Sequence, residues 1–353
     1  VTSANGYDLV FKDGSGTKLN HELERWDGLT GTLAAWVRIP SLSSMTDTSI
    51  YMCYGDSAVT TSQENKTGVW DSNFKGVWHL KEVSGPAKDS TSNSNDLLST
   101  GNITFDVGGK IGKAVNFGSS GGKLYGGSSI SPTSQMTLSA WINPSSLGGG
   151  QGGWDAIAGK VSNSNWNDGF ILYYQGGFLQ FSKSIYSTAA KQSFSTIGSW
   201  SYVVGTYNNS DGVLRLYINA NTPGTMTTSG NISTNGSNFQ IGLAPDNNYR
   251  FNGVIDEVRI SSVARSADWI LTEYRNQSSP STFYTVGNET QGGDIMAPVV
   301  TAFVIPNLYN NLTVPVTIFT ATDNVGVTGY LVNESSSTPL PSDPNWSATP
   351  QTQ

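Results

Sequence analysis

The sequence predicts an all-β protein built from antiparallel sheets. Three observations lead there. Charged residues make up only 13% of the 353 residues while glycine numbers 40, a profile of short strands joined by polar turns. Apolar side chains recur with period two in one segment after another, as in strands with one buried face. Turn dipeptides, Gly176-Gly177 and Asp211-Gly212, fall between pairs of such segments. The 37% hydrophobic and 11% aromatic fractions can fill cores, which excludes disorder for the chain as a whole.

Taken in order, the chain divides into three segments. In residues 1–75, GYDLVFKD, HELERWD, GTLAAWVRIP and TSIYMCYGD read as strands separated by short polar turns. Residues 76–291 hold the richest pattern. GKIGKAVNFGSSGGKLY (109–125) and MTLSAWINPSS (136–146) read as strands, and GFILYYQGGFLQFS (169–182) and WSYVVGTYNNSDGVLRLYIN (200–219) as hairpins. FNGVIDEVRIS closes the set, with a short helix-like stretch from Ser266 to Arg275 behind it. A Gly/Pro-containing linker, GGDIMAPVV, opens residues 292–353, where 301–306, 314–322 and 327–332 read as strands.

Charge and cysteine narrow the function classes. A net charge of −7 and a pI near 4.8 argue against nucleic acid and anionic membrane surfaces, which require basic patches. The lone cysteine, Cys53, excludes a disulfide framework within the chain. No apolar run reaches the length of a membrane span, and VTSANG carries no signal-peptide pattern.

The run FNGVIDEVRISSVARSADWILTEYRNQ resembles the last strand of the laminin-G-like, concanavalin-A-like lectin jelly roll. KDSTSNSNDLLSTGN (88–102) resembles that domain's polar opening loop, and the strands at 109–125 and 136–146 resemble those that follow. Trp36-Val37 before Pro40, Ile50–Tyr54 before Gly55 and VWDSNFKGVWHL resemble the uncharacterised β-rich domain found upstream of such jelly rolls in bacterial and archaeal surface proteins. ATDNVGVTGYLVNE resembles the first half of an immunoglobulin-like repeat, which needs about seven strands and about 100 residues. The resemblances imply an antiparallel jelly-roll sandwich with flanking smaller β domains, as part of a larger surface protein.

Acids, histidines and aromatics are the residues that could carry chemistry. Glu22, Glu24 and Asp27 in HELERWD mimic the acidic strand of laminarinase-type glycoside hydrolases, where two carboxylates flank the scissile bond. The alternative is a solvated strand face. Asp256 shares a pleat face with Val254, Val258 and Ile260, so it must be hydrogen-bonded, paired or metal-bound. Asp256 is thus a candidate calcium ligand, and the resemblance implies a structural calcium held by an opening-loop aspartate, here Asp89, with backbone carbonyls. Glu257 and Arg259 share the other face and are expected to pair. His21 and His79 show no zinc-ligand spacing.

Flat aromatic rings stack on the apolar faces of sugars, and amides and carboxylates bind the hydroxyls. Residues 147–169 read as one loop supplying Trp154, Asp155, Asn165, Trp166, Asn167 and Asp168. A second loop, 244–251, supplies Asn248, Tyr249 and Arg250, and Tyr173 lies on the strand between. Trp141 and Trp200 read as core. The leading expectation is a non-catalytic extracellular or cell-surface glycan-binding or adhesion module, taking polysaccharide or glycoprotein glycans. Copies of itself or neighbouring surface proteins are further expected partners. The alternatives are a structural subunit of a stalk, layer or filament, and a glycoside hydrolase.

Overall fold

A computed structural model describes residues 1–43, 45–162, 167–184, 187–233, 235–244, 248–289, 298–307, 313–323, 326–333, 339 and 344–352. The chain forms two compact units, Val1–Val286 and Gly287–Gln353. The first two sequence segments therefore pack as one body.

The first unit opens with β1 (Val10–Asp13), β2 (Lys18–Leu19), β3 (His21–Asp27), β4 (Thr32–Val37), β5 (Ile50–Cys53), α1 (Lys66–Val69) and β6 (Phe74–Trp78). Strands β2, β1 and β5 form a small sheet, and β3 and β4 a hairpin. The large sheet takes β7 (Leu97–Gly108), β8 (Lys113–Gly126), β9 (Gln135–Pro144), β10 (Trp154–Lys160), β11 (Phe170–Gln175), β12 (Phe178–Lys183) and β13 (Ala189–Ser193). It continues through β14 (Ser201–Asn208), β15 (Val213–Ile218), β16 (Gly224–Thr227), β17 (Phe239–Ile241) and β18 (Gly253–Ser261).

Its order is β13-β12-β11-β10-β17-β8-β18-β9-β14-β15-β16, all antiparallel, with β7 on β8 and β6 on β18. The two ends approach one another: Gln192 of β13 donates to the Leu216 carbonyl of β15 at 2.6 Å. The result is a nearly closed sandwich, consistent with a jelly roll. The expected hairpins form as read. Gly176 and Gly177 both have positive φ, as the two-residue turn between β11 and β12 requires.

Alternation along the strands fills the core. Met136, Leu138, Ala140 and Ile142 of β9 point inward with Val203 and Tyr207 of β14. Gly205 shares that face, and a Cβ there would lie 2.3 Å from the Phe181 ring of the opposing β12. Gly205→Ala is therefore expected to cost about 1–3 kcal/mol by overpacking, read as a lower midpoint in urea denaturation.

Trp141 is buried, but on the opposite face of β9 from Leu138, Ala140 and Ile142. It packs with Tyr202, Tyr217 and Ile270, beneath the helix α2 (Ala267–Ser278). Its indole donates to Gln277 Oε1 at 2.5 Å. The Ser266 side chain caps α2 by accepting from Trp269 N. Trp200 is half-buried at the rim of this outer cluster, so the expectation that both indoles lie between the sheets is corrected: a helix covers a second apolar layer.

The upstream segment is tied to the sandwich by its exit strand. β6 pairs with β18, and Trp78 stacks on Phe239 in the main core at 5.1 Å. Beyond it, Arg259 of β18 lies over the rings of Trp36 (4.2 Å) and Trp70 (4.9 Å) and pairs with Glu257 as expected, at 2.6 Å. The solvated-face reading of Glu22 and Glu24 is overturned: both are buried.

In the second unit, β19 (Val299–Val304) pairs antiparallel with β20 (Ile318–Thr322). Phe303 and Tyr330 both meet Phe319 edge-on. The expected strand at 327–332 is present as a single bridge, Tyr330 to Ser347.

Candidate functional site

The aromatic residues singled out from sequence do not form one loop. WDAIAGK, residues 154–160, is β10, a strand with its own partners on both sides. At ~3.3 Å per residue it separates its two ends by roughly 20 Å. Trp154 starts the strand, while the segment containing Asp168 follows its far end. Asp168 there accepts from Ser162 N at 2.9 Å. Asn165 and Trp166 lie outside the described residues.

Around Trp154 the chain builds a compact aromatic platform. The half-buried indole lies parallel to the Tyr173 ring, with centroids 5.2 Å apart and planes 7° apart. Tyr249 meets it tilted, at 5.9 Å. Ala156, Val161, Ile171 and Ala244 fill the space beneath. Tyr173 is fully buried. Its predicted part in ligand contact is therefore corrected: it supports the indole from below and presents no surface to a sugar.

Backbone bonds hold the platform's two loops together. Gln151 N donates to the Asn248 carbonyl at 2.9 Å, and Ala156 N to the Tyr249 carbonyl at 3.1 Å. Asn248 is exposed and Arg250 half-buried, so both lie at the platform's rim. The Arg250 side chain reaches across to the Ser119 carbonyl at 3.4 Å and passes over Gly121.

Asp155, expected in the same loop as a polar contact for a sugar, turns inward instead. It is buried, and its two oxygens accept from Gly148 N (2.5 Å) and Gly150 N (3.0 Å). Burial raises its pKa, and the amides oppose that shift. Asp155→Ala strands these amides and is expected to cost about 1–3 kcal/mol. Hydrogen exchange at Gly148 and Gly150 should accelerate in that variant.

The two aspartates expected to hold calcium are both buried and hydrogen-bonded. Asp89 is saturated by donors: Val77 N (3.0 Å), Thr91 N (2.9 Å), Thr91 Oγ1 (2.8 Å) and Asn95 N (2.8 Å). It caps the opening loop. Asp256 is fully buried and accepts from Ile111 N at 3.0 Å, and burial beside Glu257 raises its pKa. Neither belongs to the one group of potential metal ligands that converges among the described residues, Glu24, His79 and Glu257.

Residues 117–271 match the family described as the concanavalin A-like lectin/glucanases superfamily. Residues 5–81 match a domain of unknown function, DUF2341. The boundary at 81 takes in β6, which the lectin-like sheet shares. No curated protein matches the chain.

Among solved structures, domain 4 of AbnA, a GH43 extracellular arabinanase from Geobacillus stearothermophilus in complex with arabinotriose, is 22% identical with a TM-score of 0.44. The match covers 56% of this chain and 97% of that one. The binding domain of Paraclostridial Mosquitocidal Protein 1 is 17% identical with a TM-score of 0.44, covering 58% of this chain and 52% of that one. The botulinum neurotoxin serotype G binding domain is 14% identical with a TM-score of 0.46, covering 59% and 52% respectively. The chain thus spans about half the length of the two toxin domains. No helix among the described residues is long and apolar enough to cross a membrane.

Proposed function

We propose that the lectin-like domain is a non-catalytic, extracellular glycan-binding module that docks a sugar ring on the Trp154 platform. The observation that carries this reading is the half-buried Trp154 indole, set flat on a buried tyrosine and flanked by Tyr249. A rigid aromatic surface loses little conformational entropy when a ligand lands on it. Asn248 and Arg250 at the rim offer amide and guanidinium donors for hydroxyls or for a uronate carboxylate. The superfamily match supports the same reading for residues 117–271.

A hydrolase reading is less favoured. Glu22 and Glu24 are both buried, and two carboxylates must flank an accessible glycosidic bond. The test is a glycan microarray probed with the whole chain. Saturable binding to at least one glycan class is expected, and no binding to any would remove the proposal.

A further inference from the structure

Where the upstream domain meets the sandwich, three carboxylate oxygens converge on one imidazole nitrogen. His79 Nδ1 lies 2.9 Å from Glu257 Oε1, 3.0 Å from Glu257 Oε2 and 3.4 Å from Glu24 Oε2. The three side chains come from separate places: Glu24 from β3, His79 from just past β6, and Glu257 from β18. Each is almost wholly buried. A single hydrogen on Nδ1 can point well at one of these carboxylates, not at both. The other is left short, and neither oxygen of the fully buried Glu24 side chain has a hydrogen-bond partner. Lys81 Nζ forms an ion pair with Glu24 Oε2 at 3.3 Å.

Further polar and aromatic groups close around the three side chains. The other ring nitrogen, Nε2, faces Glu22 Oε2 at 3.3 Å, the carboxylate–histidine relay that fixes a metal-binding imidazole. Glu22 is itself held by Ser90 Oγ (2.7 Å) and Trp70 Nε1 (3.2 Å). Glu257 is held by Arg259 on its outer oxygen at 2.6 Å. Trp36 stacks on the imidazole at 5.6 Å and shuts out water. Glu257 sits in a break of the β18–β9 register with φ of 50°, a left-handed conformation that carries strain for a glutamate. Four carboxylates (Glu22, Glu24, Glu257 and Glu273) here face two permanent cations, Lys81 and Arg259. A divalent ion would balance that excess.

The geometry points to a structural zinc-class site with Glu24, His79 and Glu257 as ligands, stapling the upstream domain to the lectin-like sandwich. One imidazole with two carboxylates suits zinc, whereas calcium takes an all-oxygen set. Because the ligands come from both domains, the ion stabilises their junction only in the folded chain.

The whole chain, stripped with chelator and titrated with zinc chloride in a calorimeter, should take up one ion per chain. Its thermal midpoint should rise as zinc is restored. Glu24→Gln, which keeps shape and removes the charge, should weaken uptake at least tenfold while the chain stays folded. An anomalous diffraction peak at the zinc edge should fall between the three side chains. Absence of zinc uptake by the wild type, unchanged uptake in Glu24→Gln, or a peak elsewhere would each overturn the assignment. So would two ring hydrogens on His79 by nitrogen NMR in the presence of zinc, which would make the cluster an imidazolium ion-pair network.

Discussion

Replacing Arg259 by alanine is expected to destabilise the first unit by about 3–5 kcal/mol, the usual cost of removing one partner of a buried ion pair. Arg259 is only 4% exposed. Its guanidinium binds Glu257 and Glu273 at once and fills the space over the Trp36 and Trp70 rings. Alanine leaves two carboxylates without their cation and a cavity between the indoles. Arg259→Lys keeps the charge but loses the fork and the flat stacking surface, so it should fall between the two. Urea denaturation in chelator reads the effect with no bound ion contributing. A loss below about 1 kcal/mol, the range of an exposed pair, would show that this junction does not hold the domains together.

Trp154→Ala should weaken glycan binding by about 2 kcal/mol or more, roughly thirtyfold, as for a central aromatic anchor. The variant removes the stacking face and leaves Tyr173 bare beneath it. Trp154→Phe separates ligand contact from support. It retains a flat ring against Tyr173 and should keep a substantial part of the affinity. If Trp154→Ala binds like the wild type while its thermal midpoint is unchanged, the platform is not where sugar lands.

Much of the fold could be read in the chain because the signals were local. The hairpins across Gly176-Gly177 and Asp211-Gly212 declare themselves through alternation and turn chemistry within a few residues. The pairing of Glu257 with Arg259 is likewise a two-residue relation on one strand. What escaped was set by distant partners. β10 reads as loop because a glycine run precedes it, a polar run follows it and its apolar stretch is short, and this error merged two ends of a strand into one site. Glu22 and Glu24 look solvated in their own strand. They are buried because β6, β18 and the Trp36–Trp70 pair close over them. His79 and Glu257 meet across 178 residues, so no spacing rule for metal ligands could have joined them. Trp141 was assigned to the right strand but the wrong face, since the helix that covers it lies more than a hundred residues later.

The reading of the lectin-like domain as a sugar-binding module rests on one place on its surface. Indole nitrogen NMR tests it most directly, because each of the ten tryptophans gives its own signal. On titration with the best glycan from the array, the Trp154 signal should move in a saturable way while those of the buried Trp78 and Trp141 stay still. A saturable shift centred on any other tryptophan, with Trp154 unmoved, would contradict the account.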